Sequence, residues 1–255
     1  MKNNDLVVET YNVLAQCFVE PERYAYVSPP ALLQPDVRMK LLLERISASR
    51  AHIILLQEVE PELLTAIEAM LGHSHDICYA ARPTHSDGCA VLVSRSDAAL
   101  LAQHTLVYKN HEPGYSQVAC IATVRHGANE LTVASTHLRC GCQALPGEPP
   151  LGQLQMRELL ASLSSHTRPC ILGGDLNAAP DSPTLHEAYE SGFRHAGSHD
   201  TAYIRGVRGK RDYLLHTGIT LEAFPPDPFL QLPSPQQPSD HVVLRARCDT
   251  VSQCR

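Results

Sequence analysis

The sequence contains no tryptophan, and aromatic residues make up only 5% of its 255 positions. Stacking of bases on aromatic rings is a main source of affinity for single-stranded nucleic acid, so the composition gives no support for extended binding of such strands. Basic residues are not in excess either, because the formal net charge is −6. Proteins that follow long nucleic acids usually carry a basic face. The composition therefore favours a short or end-bound partner over a long duplex.

Long apolar runs are also missing. No stretch approaches the roughly 18 apolar residues that a membrane-spanning helix needs, and the N-terminal MKNNDL has no apolar run behind it, so neither a membrane contact nor a secretory signal is expected. The nine cysteines are odd in number and scattered, which argues against a disulfide framework. Those in apolar runs, such as Cys89 and Cys170, are expected to be buried thiols in a reducing compartment. We therefore expect a cytoplasmic protein, and no obligate protein partner is evident.

Hydrophobic residues make up 44% of the chain, which is enough for one large domain over residues 1–255. Apolar runs, proline positions and helix starts predict many short strands and few helices. That pattern suits an α/β fold in which two packed mixed β-sheets are flanked by helices, a four-layer α/β sandwich. Strands are predicted at 6–14, 52–57, 76–81, 89–94, 100–108, 117–125, 131–137, 169–173, 213–216 and 242–247, and helices at 36–49, 61–71, 151–164 and 182–190.

The segment from Gly173 to Pro180 reads GGDLNAAP and carries the strongest local signal. An apolar strand ends in two glycines, which let a ligand approach the backbone, and then presents Asp175 and Asn177. Residues two apart on an extended segment point the same way, so one carboxylate and one amide are expected to converge there. An Asx-rich turn after the strand is the alternative interpretation.

Other polar residues interrupt or end apolar strands. Glu58 directly follows the run IILLQ, and Asp240 with His241 stands in PSDH before the strand VVLRAR. Strand propensity accounts for none of them. Carboxylates and amides are hard oxygen ligands that suit Mg²⁺, while histidines can contact phosphate oxygens. Three further positions of this kind are Asn12 in ETYNVLA, His137 at the end of LTVASTHL and Asp212 in KRDYLL.

A short basic run, RGVRGKR, leads directly into Asp212. Most such runs are solvated loops, but the position of this one also suits a loop that contacts phosphate. Arg208, Lys210 and Arg211 are accordingly candidates for substrate binding.

The sequence resembles the endonuclease/exonuclease/phosphatase superfamily along nearly its whole length. The segments that carry the resemblance are TYNVLAQ, LLQEVE, DGCAVLVSR, STHL, GGDLNAAPDSPTL, RDYLL and PSDHVVL, in the order of the family. TYNVLAQ, DGCA and PSDH followed by a strand are most similar to the branch of the poly(A) deadenylases, nocturnin and the Angel proteins.

The resemblance implies a divalent metal site, for Mg²⁺ or Mn²⁺. In it Glu58 would be the principal ligand, Asn12 would lie close to the metal, and Asp240 would support the metal or the adjacent His241. The cation would neutralise charge on the phosphoryl oxygens and stabilise the leaving oxygen.

The resemblance also implies catalytic roles. Asp175 would orient or deprotonate the attacking water, and Asn177 would help to place it. His241, held by Asp212, would contact the scissile phosphate, and His137 would stabilise the charge that develops on phosphorus.

The implied activity is hydrolysis of phosphoester bonds in RNA or a nucleotide, in the first place by a ribonuclease directed to the 3′ end. The alternative is a phosphatase for a 2′,3′-cyclic or terminal RNA phosphate or for a small nucleotide. An inositol-lipid phosphatase is disfavoured, because no membrane-binding feature is seen. A non-enzymatic scaffold is disfavoured because Glu58, Asp175 and His241 are all present.

Overall fold

The computed structural model describes residues 5–140, 147–164 and 168–249. The N-terminal segment on which the expected lack of a secretory signal rests lies largely outside these ranges. Seven cysteines fall within them, and all seven are reduced thiols. In the described residues no helix is both long and apolar enough for a membrane span.

The described residues contain fourteen strands and four α-helices. The helices are α1 (Pro35–Ser47), α2 (Pro61–Leu71), α3 (Leu151–Leu163) and α4 (Pro183–Glu190). The strands are β1 (Asp5–Asn12), β2 (Ile53–Val59), β3 (His75–Ala81), β4 (Gly88–Ser94), β5 (Ala99–Val107), β6 (Val118–His126), β7 (Asn129–His137), β8 (Cys170–Asp175), β9 (Arg194–His195), β10 (Ala202–Ile204), β11 (Val207–Gly209), β12 (Asp212–Thr217), β13 (Leu221–Ala223) and β14 (Leu244–Asp249).

Two six-stranded sheets form the centre of the fold, with strand orders β13-β14-β1-β2-β4-β3 and β5-β6-β7-β8-β12-β9. Both sheets are mixed, because the pairs β1–β2 and β7–β8 are parallel and the other pairs are antiparallel. The predicted fold class is therefore confirmed.

Apolar side chains fill three layers between and outside the sheets. The inner layer packs Val8 and Leu55 of the first sheet with Val133 and Ile171 of the second. Helices α1 and α2 cover the outer face of the first sheet, and α3 and α4 cover that of the second. This layering explains why the central strands, such as β2, β4 and β8, read as nearly continuous apolar runs, since both of their faces are buried.

Two sequence expectations about local structure are corrected. The strand predicted at 6–14 ends at Asn12, because Leu14 adopts a positive φ of 57° and its amide donates to Asn12 Oδ1. The basic run predicted as a loop contains β11, which pairs with β10 in a two-stranded hairpin. Backbone hydrogen bonds hold this hairpin together, and the side chains of β11 are mostly exposed. The sequence therefore shows no apolar alternation at β11.

Candidate active site

Three functional side chains of the second sheet lie in register on neighbouring strands. His137, the last residue of β7, pairs with Asp175 at the end of β8. Asp212, the first residue of β12, pairs with Asp175 from the other side. The antiparallel direction of β12 explains how a strand start and two strand ends meet at one edge of the sheet.

Glu58 and Asn12 come from the first sheet. Asn12 ends β1 opposite Gln57 of β2, and the β2–β4 pairing shifts register between Leu56 and Val59. Within this irregularity Glu58 has a φ of 59°, a conformation that costs energy for a residue other than glycine. Bulges re-aim side chains next to active sites, and here the bulge coincides with the residue predicted to be the main metal ligand.

The amide of Asn12 joins the two sheets at the site. Its Nδ2 donates to Glu58 Oε1 at 2.9 Å and to Asp175 Oδ2 at 3.1 Å. Its Oδ1 accepts the amide of Leu14, so the nitrogen and not the oxygen faces the carboxylates. Asn12 is thus placed to orient both acids. Burial raises the pKa of Glu58, and the nearby His137 partly opposes this shift.

Asp175 and Asn177 do converge, but through a turn. The amide nitrogen of Asn177 donates to Asp175 Oδ1 at 2.9 Å, and Asn177 has a φ of 48°. The extended geometry expected from the sequence is therefore wrong, and the alternative Asx-type turn forms instead. The Asn177 side chain returns to the site, with Nδ2 2.9 Å from His137 Nε2 and 3.0 Å from the carbonyl oxygen of Leu138.

A buried histidine–carboxylate pair lies beside Asp175. His241 Nδ1 is 2.8 Å from Asp212 Oδ2, and its Nε2 is 3.5 Å from Asp175 Oδ2. Burial lowers the pKa of His241, but attraction to Asp212 and Asp175 outweighs it and holds this pKa well above the ordinary value. The imidazole, which lines the cleft, is thus set to be a cation.

Asp240 completes the acidic cluster. Its Oδ2 accepts a hydrogen bond from the Tyr24 hydroxyl at 2.9 Å. Its Oδ1 is buried and has no hydrogen-bond partner among the described residues, and it lies 3.8 Å from His241 Nε2. An uncompensated carboxylate oxygen in a buried site costs free energy.

A divalent cation fits this set of donors. Glu58, His137 and Asp175 offer ligand atoms within 4.8 Å of one another, as do Asp175, Asp212 and His241. Buried carboxylates repel one another, and a cation between them relieves that repulsion. Oxygen donors suit a hard ion such as Mg²⁺ or Mn²⁺.

Three arginines that no sequence pattern singles out line the cleft: Arg23, Arg82 and Arg139. Arg82 and Arg139 hold their guanidinium carbons 4.4 and 4.3 Å from the ring centroid of Tyr115. Arg139 also pairs with Glu112 at 2.9 Å. Arg82 likewise pairs with the buried Asp87 at 3.1 Å. These contacts hold two guanidinium groups in place beside the acidic floor of a cleft of about 240 Å³, and the paired acids balance part of their charge.

The three residues predicted to bind substrate do not stay together. Arg211 Nη1 lies 3.4 Å from Asn177 Oδ1 and so reaches the site. Arg208 instead donates to the carbonyl oxygens of Phe229 and Leu230. Lys210 donates to the carbonyl of Gly197. The structure therefore does not bring Arg208 and Lys210 to the cleft, because the hairpin turns their side chains toward neighbouring loops.

Comparison with known proteins gives a consistent result. The sequence model of the Endonuclease/Exonuclease/phosphatase family matches residues 10–241. Nocturnin of Drosophila melanogaster is 25% identical over 239 residues, 88% of this chain and 36% of that protein. Protein angel homolog 2 of Danio rerio is 29% identical over 203 residues, 70% of this chain and 34% of that protein. The chain thus spans about a third of the length of these curated relatives.

Solved structures share the fold. ANGEL2, described as a 2′,3′-cyclic phosphatase in complex with adenosine-2′,3′-vanadate, superposes with a TM-score of 0.79 at 19% identity, over 96% of each chain. The human Nocturnin catalytic domain with a bound sulfate anion gives a TM-score of 0.72 at 21% identity, over 96% of this chain and 93% of that one.

Proposed function

Because the chain belongs to the endonuclease/exonuclease/phosphatase family of hydrolytic phosphoesterases, in the branch of nocturnin and the Angel proteins, we propose that it is a Mg²⁺-dependent phosphoesterase. Its substrate is a phosphoester at or near the 3′ end of an RNA, or in a nucleotide. The observation that carries this proposal is the convergence of Glu58, Asp175 and His241, from both sheets, on one cleft. The reduced thiols of the described cysteines suit the cytoplasmic location proposed for it.

Glu58 would hold the cation, with Asp240 as a further carboxylate, and Asn12 would orient Glu58 and Asp175. A bound Mg²⁺ supplies neutralising charge for the phosphoryl oxygens and for the leaving oxygen. Side chains of the protein accept and donate the protons and hold the phosphate.

The side chains divide the remaining work. Asp175, whose pKa is lowered overall although burial alone would raise it, accepts the proton of the attacking water. His241, His137 and hydrogen bonds lower the pKa of Asp175 and outweigh the effect of burial. Asn177 and His137 contact the phosphate, and His241 donates from Nε2 to a phosphoryl oxygen while Asp212 holds its Nδ1. Donors preorganised for developing charge are a main source of catalysis in hydrolytic enzymes.

A phosphatase for a terminal or 2′,3′-cyclic RNA phosphate is the second candidate. Three arginines and three aromatic rings, Phe18, Tyr24 and Tyr115, line the cleft. Two of these rings are already engaged, Tyr115 by Arg82 and Arg139, and Tyr24 by Asp240. Arginines recognise phosphate oxygens, whereas free rings serve to stack successive bases. ANGEL2, which shares the fold, is described as a 2′,3′-cyclic phosphatase.

A substrate panel in Mg²⁺ tests the proposal. It compares matched RNA and DNA oligonucleotides, RNA with a 3′-phosphate, RNA with a 2′,3′-cyclic phosphate, a dinucleotide and a phosphoinositide headgroup. We expect turnover of an RNA-type or nucleotide substrate, strongly reduced in an Asp175→Asn control. Release of mononucleotides would identify the ribonuclease, and loss of the terminal phosphate or ring opening would identify the phosphatase. Equal rates on RNA and DNA would remove the RNA preference, and faster hydrolysis of the lipid headgroup would overturn the substrate class.

A further inference from the structure

Arg38 of α1 is a buried charge that makes no direct ion pair among the described residues. Its residue surface is 2% exposed, and within the described part of the chain no carboxylate forms an ion pair with it. Its Nη1 donates to the carbonyl of Pro238 at 2.6 Å, and its Nη2 donates to the carbonyl of Leu14. Its Nε donates to Gln16 Oε1 at 3.0 Å. The guanidinium is therefore held by neutral acceptors that come from two separate loops.

One of these loops supports the predicted metal ligand. Ala15 directly follows Leu14, whose carbonyl Arg38 binds, and the amide of Ala15 donates to Glu58 Oε2 at 2.9 Å. The Glu58 carboxylate thus depends on the position of a loop that Arg38 fixes from behind.

The other loop carries the histidine of the site. Pro238 leads into Ser239, Asp240 and His241, and the Ser239 hydroxyl both donates to the carbonyl of Asn12 at 2.7 Å and accepts the His241 amide at 3.1 Å. Arg38 therefore ties residues 13–16 to the loop of His241, and Ser239 ties the same loop to the end of β1.

Stability alone is a poor explanation for Arg38. Burial lowers the pKa of this arginine, and the carboxylates of Asp240 and Glu58 oppose that shift only in part, so no direct ion pair offsets the cost of desolvating the charge. Its charge also opposes a cation in the nearby site, because like charges repel. A purely electrostatic influence of Arg38 would thus weaken metal binding, and removal of the charge would strengthen it.

We propose that Arg38 is a positioning residue, which clamps residues 13–16 against residues 238–241 so that Glu58 and His241 keep the separation that a divalent cation and a phosphate require. This inference rests on the proposed function, and it extends that function to a side chain that touches no substrate.

Binding of Mn²⁺ to the full chain, measured by electron paramagnetic resonance, tests the clamp without relying on turnover. We expect Arg38→Met to weaken Mn²⁺ binding about 10-fold, the scale for losing a residue that orients ligands. Arg38→Lys should recover only part of the affinity, because an ammonium lacks the planar fork that reaches both loops. Arg45→Met is the matched control, since Arg45 lies about two turns further along the same helix and pairs with Asp227 at 3.3 Å.

The direction in which the Mn²⁺ affinity changes distinguishes the clamp from a purely electrostatic effect of Arg38. Unchanged or tighter Mn²⁺ binding by a folded Arg38→Met variant would overturn the clamp. Should Arg38→Met fail to fold in a urea titration, Ser239→Ala removes the tie to the end of β1 at little cost in volume and should weaken binding in the same direction; no change there would also overturn it. Failure of the wild type to bind Mn²⁺ would instead count against the proposed function.

Discussion

At the scale of single residues, Asp175 is in contact with side chains from three other strands or loops. Its Oδ2 lies 3.1 Å from Asn12 Nδ2, 3.6 Å from His137 Nε2 and 3.5 Å from His241 Nε2. The two histidines and the hydrogen bonds overcome the effect of burial and lower the pKa of Asp175. The carboxylate is accordingly ionised at neutral pH and can accept a proton.

Replacement of Asp175 by Asn should lower kcat by about 10²–10⁴, the range for loss of a general base or of a group that orients water. Substrate binding should survive, because the amide has nearly the same shape. Steady-state kinetics and binding of unreacted substrate to the variant provide the measurement. Asp76→Asn, which only removes an ion pair with Arg95 at the surface, is the control, and a near-normal rate for Asp175→Asn would contradict the assignment.

Asp212 and His241 should act as one unit. Asp212→Asn leaves the imidazole without the carboxylate that lies 2.8 Å from Nδ1, so we expect a severe loss of kcat/KM. The double variant with His241→Ala should be little worse than His241→Ala alone, because groups that act together are not additive. A double-mutant cycle measures this coupling, and additive losses would show that Asp212 works independently of His241.

The residues that sequence reasoning found share one property, which is that they interrupt or end apolar strands. Strand propensity does not explain Glu58 or Asp212, so these residues can be recognised from the sequence as functional candidates. Arg82, Arg139 and Arg38 carry no such signal, since arginines are common in loops and on helices. Only the packing of distant loops reveals where their guanidinium groups point.

At the scale of elements, the glycines of β8 allow the two sheets and the neighbouring strand to approach the site. A Cβ on Gly173 would come within 2.5 Å of Leu55 Cδ1, and one on Gly174 would overlap the carbonyl oxygen of Thr136. Asp175 directly follows, so the position of its carboxylate depends on this close contact.

Gly174→Ala should therefore lower the free energy of unfolding by roughly 1–3 kcal/mol or more, the cost of overpacking a core position. Urea unfolding gives the value. Gly209→Ala is the matched control, because a Cβ there meets nothing within 4 Å, and its effect should stay within about 0.5 kcal/mol. Equal stability of the two variants would contradict the close approach at Gly174.

Lys210 lies just before β12 and makes the free energy of unfolding of the protein depend on pH. Burial lowers the pKa of its ammonium from 10.5 to about 8. Between about pH 8 and pH 10.5 the unfolded chain therefore keeps a proton that the folded chain has lost, and stability rises with pH wherever the unfolded state binds more protons.

Wild type should consequently gain stability relative to Lys210→Met as the pH rises through this window. Urea unfolding of both proteins at about pH 7 and about pH 9.5 measures the difference between their free energies of unfolding. Groups that titrate alike in both proteins cancel from this difference. A constant difference across the two pH values would mean that the folded state does not depress this pKa.

Helices and long strands were predictable because their apolar periodicity survives in the sequence. The strands of two or three residues, β9, β10, β11 and β13, were not, since so short a segment shows no period. The turn at Asn177 was foreseen only as the alternative interpretation, because its backbone follows from one hydrogen bond to Asp175 Oδ1, which a two-residue alternation cannot represent.

At the scale of the whole molecule, the site exists only because two sheets pack face to face. Asn12 and Glu58 end strands of one sheet, while His137, Asp175 and Asp212 belong to the other. The shared inner layer of apolar side chains sets the distance between these groups. Fold and catalysis therefore depend on the same interface.

The dependence of turnover on Mg²⁺ tests the central claim most directly. The best substrate of the panel is assayed with wild type and Glu58→Gln in excess chelator and across a Mg²⁺ titration. We predict no turnover in chelator, recovery on addition of Mg²⁺, and a higher Mg²⁺ requirement for Glu58→Gln, because that variant loses a charged oxygen ligand. Full wild-type turnover in excess chelator would contradict a metal-dependent phosphoesterase.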